Sequence, residues 1–147
     1  MDTRSDSPQA APAHPGSGHP GPAEIAGAYL TAFYGGDFGQ ARALLAEDFS
    51  FSGPFVQVRG RDPFLDSAAG LKPIVRGHRL LRQWADGDEI CSWYDVDLQT
   101  PVKSGAVTMS EWHTVREGKL TSGRVVFDAA AFRAFLPPSK PSPGPGA

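Results

Sequence analysis

The chain has 147 residues, of which 40% are apolar and 20% are charged, and its formal net charge is −2. This length suits one domain, because domains cluster near about 100–150 residues. Fourteen basic against sixteen acidic residues leave no positive excess, which argues against nucleic acid as the main ligand. No apolar run is long enough to span a membrane, and the first twenty residues hold no apolar stretch of secretory type. We therefore expect a cytoplasmic protein with no membrane partner.

Cysteine and histidine usage gives little support for a metal site. Cys91 is the single cysteine, which excludes an internal disulfide and any CxxC metal motif. We expect it to be a small buried apolar side chain. His14 and His19 lie five apart in a segment of low apolar content, which is a weak ligand pattern. The sequence predicts no metal site and no cofactor.

Proline is concentrated at the two ends of the chain. Ten of the fourteen prolines lie before residue 23 or after residue 136, in segments rich in Ser, Gly and Ala. Such segments lack the apolar content that would offset the entropy lost on ordering. We predict disordered tails over 1–22 and 137–147, and one folded domain over 23–136.

The first part of that domain has a helical period. Apolar residues spaced four apart predict a helix that ends at a Gly-Gly pair; they are Ile25, Tyr29 and Phe33. Asp37 is placed to cap a second helix that runs through Leu45. Alternation over 49–52 indicates a short strand. Asp62 and Pro63 suggest the cap and first turn of a third helix.

The second part has a strand-like period. Three turn signals separate four predicted strands, at 76–85, 89–99, 106–116 and 119–127. A short helix over 129–136 closes the domain. Helices followed by a long antiparallel sheet indicate an α+β fold with the helices on one face. Strong curvature of that sheet would leave a pocket between its concave face and the N-terminal helices.

Four segments carry a resemblance to a known superfamily. They are YLTAFYGGD at 29–37, LAEDFSFSGP at 45–54, GRDPFL at 60–65 and EGKLTSGRVVFD at 117–128. In this order they resemble the nuclear transport factor 2-like superfamily, and most closely its SnoaL-like polyketide cyclase and ketosteroid isomerase branch. The resemblance implies a cone-shaped sheet. It leaves the activity open, because this fold hosts isomerases, cyclases, hydrolases, dehydratases and non-catalytic binders.

Ketosteroid isomerases use an Asp base, together with a tyrosine and a neutral carboxylic acid that hold the oxyanion. The resemblance places the tyrosine at Tyr29 and the acid at Glu111, but it places the base at Gly53. A catalytic site of the ketosteroid isomerase type would therefore lack its base in this chain.

Limonene-epoxide hydrolases are a second comparison, with an Arg-x-Asp strand and an Asp on the last strand. Here the strand carboxylate falls on Asp95, whereas Trp93 stands at the arginine position and Val125 at the last-strand acid. One of three positions matches, which argues against that hydrolytic triad.

Strand alternation suggests which of these groups share the pocket. Glu111 and His113 have the same parity, and the alternative is that Trp112 points inward instead. A tight turn at Asp86-Gly87 would pair His78 with Asp95. The predicted catalytic residues are Tyr29, Asp95, Glu111 and His113. The predicted substrate-binding residues are Phe33, Phe51, Phe64, His78, Trp84, Trp93 and Phe127.

Two carboxyl groups in different surroundings can act as acid and base, while a phenol holds a developing oxyanion. We therefore expect an acid/base cyclase or isomerase, with epoxide opening as one version. Its substrate would be an apolar oxygenated molecule, such as a polyketide-like intermediate of secondary metabolism. The alternative is a non-catalytic binding or dimerisation module of the same fold. In both cases we expect a homodimer through the convex or edge surface of the sheet.

Overall fold

The structure, a computed structural model, describes residues 20–137. The two predicted tails lie almost wholly outside these residues, as do His14 and His19, so the predicted domain boundaries stay a prediction. No helix in the described range is both long and apolar enough to cross a membrane.

The helices form close to where the sequence predicts them. They are α1 (Pro22–Tyr34), α2 (Phe38–Leu44), α3 (Arg61–Ala68) and α4 (Ala129–Arg133), with a 3₁₀ turn at Ala69–Leu71. Asp37 caps α2 as predicted, since its Oδ1 accepts a hydrogen bond from the Gln40 amide at 3.0 Å. This bond satisfies one of the free N–H groups of the first turn.

Six strands form one mixed sheet. They are β1 (Leu45–Ser52), β2 (Gln57–Arg59), β3 (Val75–Asp86), β4 (Glu89–Gln99), β5 (Ser104–Arg116) and β6 (Lys119–Phe127). Their order across the sheet is β2-β1-β6-β5-β4-β3. Only β1 and β6 run parallel, because the chain passes through the long β-meander before it returns to β1. The α+β class is confirmed, with helices followed by a curved, unclosed sheet of the cone type.

Local expectations were wrong at three places. Asp62 is not the cap of α3, since Gly60 occupies the cap position with a φ of 105°, a value that favours glycine. The Asp62 carboxylate instead accepts a 2.8 Å hydrogen bond from Arg42 Nε. Leu45 begins β1 rather than ending α2, and the three-residue strand β2 was missed because it is too short to show alternation.

The two faces of the sheet have different character. The inner face, which packs against α1, carries the buried residues of β4 and β5, including Ile90, Tyr94, Val96, Val107 and Met109. The outer face carries all three tryptophans, which are Trp84, Trp93 and Trp112, each about half exposed. This separation follows from the period of two along a strand, and it decides which polar side chains can meet a buried ligand.

Candidate active site

A cavity of about 260 Å³ lies between the inner face of the sheet and the helices. Its wall is mostly apolar and includes six phenylalanines, which are Phe33, Phe51, Phe55, Phe64, Phe127 and Phe132. Three titratable side chains reach this wall, namely Tyr29, Tyr34 and Glu111. Among the described residues, Glu111 is the one carboxylate that lines the cavity. An apolar pocket with a few convergent polar groups is the usual form of a small-molecule site.

Glu111 is held between a phenol and an imidazole. It lies on β5 with only 3% of its surface exposed. Its Oε1 accepts a hydrogen bond from the Tyr94 hydroxyl at 2.6 Å, a short distance typical of a charge-assisted bond. Its Oε2 lies 3.0 Å from Nε2 of His113, which is fully buried. The carboxyl group is therefore held by one hydrogen bond, has a polar neighbour on its other side and is removed from bulk water.

The contact between Glu111 and His113 is close but is not a well-formed hydrogen bond. The ring N–H of His113 does not point at Oε2, so neither Oε2 nor either ring nitrogen has a hydrogen-bond partner within residues 20–137. Buried polar atoms are nearly always paired in native proteins, because an unpaired one costs about 1–3 kcal/mol. An unpaired polar atom that lowers the stability of the fold beside a cavity is typical of a functional group rather than of a packing residue.

Three phenols surround this carboxyl group. Burial, and then the nearby charge of Glu111, raise the pKa of Tyr29 and of Tyr34 above their ordinary range. The pKa of Tyr94 is raised by the same two causes in the same order. All three hydroxyls therefore stay neutral across the pH range in which proteins are folded, and they can donate hydrogen bonds to a ligand or to Glu111.

Gly123 on β6 leaves the space that Glu111 and His113 occupy. It pairs with His113 across the sheet. A Cβ at this position would lie 3.1 Å from His113 Cδ2, 3.1 Å from Phe49 Cζ and 3.2 Å from Glu111 Oε2. All three neighbours are buried, so they have little room to move.

We expect Gly123→Ala to destabilise the protein by about 1–3 kcal/mol, the usual cost of overpacking, and to displace the Glu111–His113 pair. The measurement is the free energy of unfolding in urea. The matched control is Gly27→Ala in α1, where an added Cβ meets nothing within 4 Å and a helical alanine adds about 0.5–1 kcal/mol. Equal shifts of the same sign in both variants would contradict this prediction.

The structure brings together most, but not all, of the predicted site residues. Tyr29, Glu111 and His113 lie together, with the Tyr29 and His113 rings 5.3 Å apart. The four predicted phenylalanines all line the cavity, namely Phe33, Phe51, Phe64 and Phe127. His113 touches Glu111 rather than the cavity, so its place is behind the carboxylate.

The predicted pocket position of Asp95 is wrong. Asp95 lies on the outer face, where Arg79 Nη2 donates to Oδ2 at 3.1 Å and Thr108 Oγ1 donates to Oδ1 at 2.6 Å. Trp84 and Trp93 share that face with 50% and 45% exposure, so they do not line the cavity either. The Asp-Arg arrangement of limonene-epoxide hydrolases is therefore absent from the cavity of the described chain.

His78 lies in a different cavity from the one predicted. The expected pairing of His78 with Asp95 is replaced by His78 opposite Val96 and Arg79 opposite Asp95. His78 lines a second cavity, of about 410 Å³, next to the first. Partial burial lowers the pKa of its imidazole, which favours the neutral ring.

Two tyrosines of the site were missed by the sequence reasoning. Tyr94 donates to Glu111, and the Tyr34 hydroxyl lies 3.0 Å from the Tyr94 hydroxyl. The signal for Tyr94 was present, since it shares a largely apolar face of β4 with Ile90, Val96 and Leu98. Tyr34 ends α1 beside a glycine pair and gives no comparable signal.

No group of three or more His, Cys, Asp or Glu side chains within residues 20–137 lies close enough together to hold a metal ion. The absence of a metal and of a cofactor stays a prediction. The remaining titratable pair, Glu111 and His113, offers proton transfer and hydrogen bonding as its chemistry.

A six-stranded curved sheet, helices on its inner face and an aromatic cavity between them define the nuclear transport factor 2-like class. The sequence profile of the SnoaL-like domain family matches residues 26–123. The chain therefore belongs to the SnoaL-like domain family, as the four sequence segments suggested. No curated protein matches the sequence.

Solved structures show the same fold. An LEH-like epoxide hydrolase from M. tuberculosis is 21% identical with a TM-score of 0.68, covering 78% of this chain and 89% of that chain. A candidate polyketide cyclase from Xanthomonas campestris pv. campestris is 19% identical with a TM-score of 0.68, covering 79% and 96%. An NTF2-like protein from Cytophaga hutchinsonii ATCC 33406 is 21% identical with a TM-score of 0.65, covering 76% and 93%. At these identities the similarity shows the fold alone.

Proposed function

We propose that this protein is a cyclase or isomerase that moves protons on an apolar small molecule carrying a carbonyl or related oxygen. The observation that supports this most directly is Glu111. It is a buried carboxyl group on the wall of an otherwise largely apolar cavity, with one oxygen hydrogen-bonded by Tyr94 and the other 3.0 Å from His113. A carboxyl group held in this way reaches a ligand while bulk water is excluded, which strengthens its electrostatic interactions.

The proposed reaction uses Glu111 as the proton carrier. The carboxylate removes a proton from the carbon next to a carbonyl group, and the electron pair moves to the carbonyl oxygen. Tyr29 donates a hydrogen bond to that oxygen, since its hydroxyl stays neutral and lines the same cavity. Glu111 then returns the proton to another carbon, or the enolate carbon attacks a second carbonyl group and closes a ring. General acid/base catalysis of this kind accelerates reactions by about 10²–10⁴-fold.

His113 is a positioning residue in this proposal. It lies behind Glu111 Oε2 at 3.0 Å and does not reach the cavity. Its imidazole packs beside the carboxyl group and supplies a polar neighbour in an apolar surrounding. Polyketide-like intermediates fit the site as substrates, because they combine apolar carbon chains with acidic C–H groups next to carbonyl oxygens. Opening of an epoxide by protonated Glu111, with attack by an internal hydroxyl group, is a version of the same chemistry.

The experiment that tests the proposal follows proton movement rather than one product. We would incubate 3-cyclohexen-1-one with the protein in D₂O and follow both isomerisation to 2-cyclohexen-1-one and deuterium incorporation by NMR. The expected result is acceleration of both processes in proportion to protein concentration. If neither this ketone nor cyclohexene oxide reacts faster than in buffer, while both bind, the catalytic proposal is wrong.

A non-catalytic binding module is the second candidate, and one observation favours it. Gly53 lines the cavity at the position where the resemblance places the ketosteroid isomerase base. A second carboxylate is missing from the lining within the described residues, so one group must act as both acid and base. Binding of an apolar ketone without turnover would support this candidate.

We further propose that the protein is a homodimer through the outer face of the sheet. Trp84, Cys91 and Trp112 lie side by side on β3, β4 and β5, and Trp93 and Val126 extend the patch. The tryptophans and Val126 are 45–58% exposed. Contiguous apolar patches of this type mark interaction surfaces, and tryptophan is enriched among residues that dominate binding energy.

We expect the unmodified protein to show twice the monomer mass by light scattering at micromolar concentration. Trp93→Glu should weaken association by at least about 30-fold, since loss of an interface tryptophan costs about 2 kcal/mol or more. Val102→Glu is the matched control, because Val102 is 52% exposed at the β4–β5 turn and lies away from the tryptophans. A monomer in the unmodified protein, or equal weakening in both variants, would contradict the dimer.

A further inference from the structure

Tyr34 stands in the wall between two cavities. It lines the main cavity that Glu111 reaches, and it also lines the second cavity beside His78. Its hydroxyl lies 3.0 Å from the hydroxyl of Tyr94, and Tyr94 donates to Glu111 Oε1 at 2.6 Å. These hydrogen bonds connect the buried carboxyl group to Tyr34, whose side chain lines the second cavity and whose hydroxyl also lies 3.8 Å from Met109 Sδ.

The direction of this chain depends on the protonation state of Glu111. Each phenol has one proton to donate. When Glu111 is a carboxylate, Tyr94 donates to Glu111 and Tyr34 donates to Tyr94. When Glu111 carries a proton, it donates to Tyr94, Tyr94 donates to Tyr34, and the Tyr34 proton is directed beyond the chain. The second arrangement holds one proton more than the first, and both hydrogen bonds of the chain run in the opposite direction.

We propose that Tyr94 and Tyr34 form a proton relay that connects Glu111 to water in the second cavity while a ligand fills the main one. In the outward direction, the Glu111 O–H bond breaks as Tyr94 gains that proton. Tyr94 passes its own proton to Tyr34, and Tyr34 passes its proton to a water molecule. Each phenol ends with one proton, Glu111 ends as a carboxylate, and the water molecule becomes hydronium.

The transfer has to be concerted. Burial and the charge of Glu111 raise the pKa of both phenols, so a free phenolate is not a populated intermediate. Each proton therefore arrives as the next one leaves. The other side of the carboxyl group offers no comparable exit, because His113 is fully buried and its Nδ1 has no partner within residues 20–137.

A relay matters because Glu111 is only 3% exposed and an apolar ligand would cover it further. Without a second route, a proton removed from the ligand stays on Glu111 until the ligand leaves. With the relay, Glu111 exchanges its proton with solvent during one binding event. The inference deepens the proposed function, but the relay itself needs only Glu111, Tyr94 and Tyr34.

The test measures how fast Glu111 follows a pH jump, which is independent of turnover. The infrared carboxyl stretch that disappears in Glu111→Gln reports the group, and benzene-saturated buffer supplies an apolar occupant for the main cavity. We expect Tyr34→Phe and Tyr94→Phe to slow the response by at least about tenfold, a barrier about 1.4 kcal/mol higher. Tyr29→Phe is the matched control, because Tyr29 lines the cavity but stands outside the chain.

The outcomes separate a relay from a structural effect and from failure of the catalytic proposal. A purely structural role would shift the frequency or amplitude of the band without changing its rate. Equal rates in the Tyr34→Phe and Tyr29→Phe variants, or a carboxyl band that does not respond to pH, would overturn the relay. A slowed response in a protein that fails the cyclohexenone assay would support the relay and reject only the proposed reaction.

Discussion

The Glu111→Gln variant is expected to lose about 10²–10⁴-fold in the rate of proton exchange and isomerisation, while it keeps its fold and its ability to bind the ketone. Glutamine has nearly the same shape, and its side-chain oxygen can still accept the Tyr94 hydrogen bond, which is 2.6 Å long in the unmodified protein. It cannot carry a proton between two carbon atoms. The measurements are kcat/KM for 3-cyclohexen-1-one, NMR titration with 2-cyclohexen-1-one and circular dichroism.

Asp95→Asn is the matched control for this loss. Both residues are carboxylates at the middle of neighbouring strands, but Asp95 lies on the outer face with Arg79 and Thr108. Its removal should change kcat/KM by less than about twofold, since it touches neither the cavity nor Glu111. Asp97 offers Arg79 a second partner at 2.8 Å, so the fold should persist. Equal activity in Glu111→Gln and the unmodified protein would remove the carboxylate mechanism.

The contrast between these two carboxylates shows what the sequence could predict. On β5, Glu111 and His113 lie on the same face as Val107, Met109 and Val115. Because these three apolar residues face the core, the two polar residues of the same parity must face it too. The inward position of Glu111 and His113 was therefore predictable. On β4, the inward residues by the same argument are Ile90, Tyr94, Val96 and Leu98. Asp95 has the opposite parity, so this pattern predicts that it lies on the outer face.

The error for Asp95 came from following the limonene-epoxide hydrolase resemblance instead of the apolar pattern of β4, and the error for the His78–Asp95 pairing came from the register assumed at the turn. The β3–β4 turn, with Gly87 at a φ of 60°, pairs Asp86 with Glu89 and Ala85 with Ile90, whereas the assumed register pairs Ala85 with Asp88. The register then shifts between Leu80 and Arg82 and again between Val75 and Gly77. A slip of one residue moves a whole strand to the opposite face, and bulges of this kind leave no clear signal in one sequence.

The contact between Glu111 and His113 could not be predicted from the sequence, for a different reason. Residues two apart on a strand share a face, but their polar atoms meet only when both rotamers turn toward each other. Here the empty position at Gly123, across from His113, makes that arrangement possible. Strand alternation therefore predicted the neighbourhood, whereas the 3.0 Å separation depends on packing by a third strand.

His113→Leu is expected to destabilise the protein by about 1–3 kcal/mol, because it leaves the Glu111 carboxyl group buried without its polar neighbour. The double variant Glu111→Met/His113→Leu should recover most of this loss. Replacing both partners of a buried polar pair by apolar groups of the same shape can be nearly neutral or stabilising. Tyr94 would keep a partner in this variant, since Tyr34 lies 3.0 Å away.

The free energy of unfolding in urea, together with the exchange assay, distinguishes two explanations for the pair. If the double variant is as stable as the unmodified protein but inactive, the buried pair contributes proton transfer and adds nothing to stability. If it is as unstable as His113→Leu alone, the pair is a structural element whose loss packing cannot replace. We expect the first result, because three buried polar atoms of the pair lack hydrogen-bond partners within residues 20–137, an arrangement that disfavours the folded state and that an apolar core would avoid.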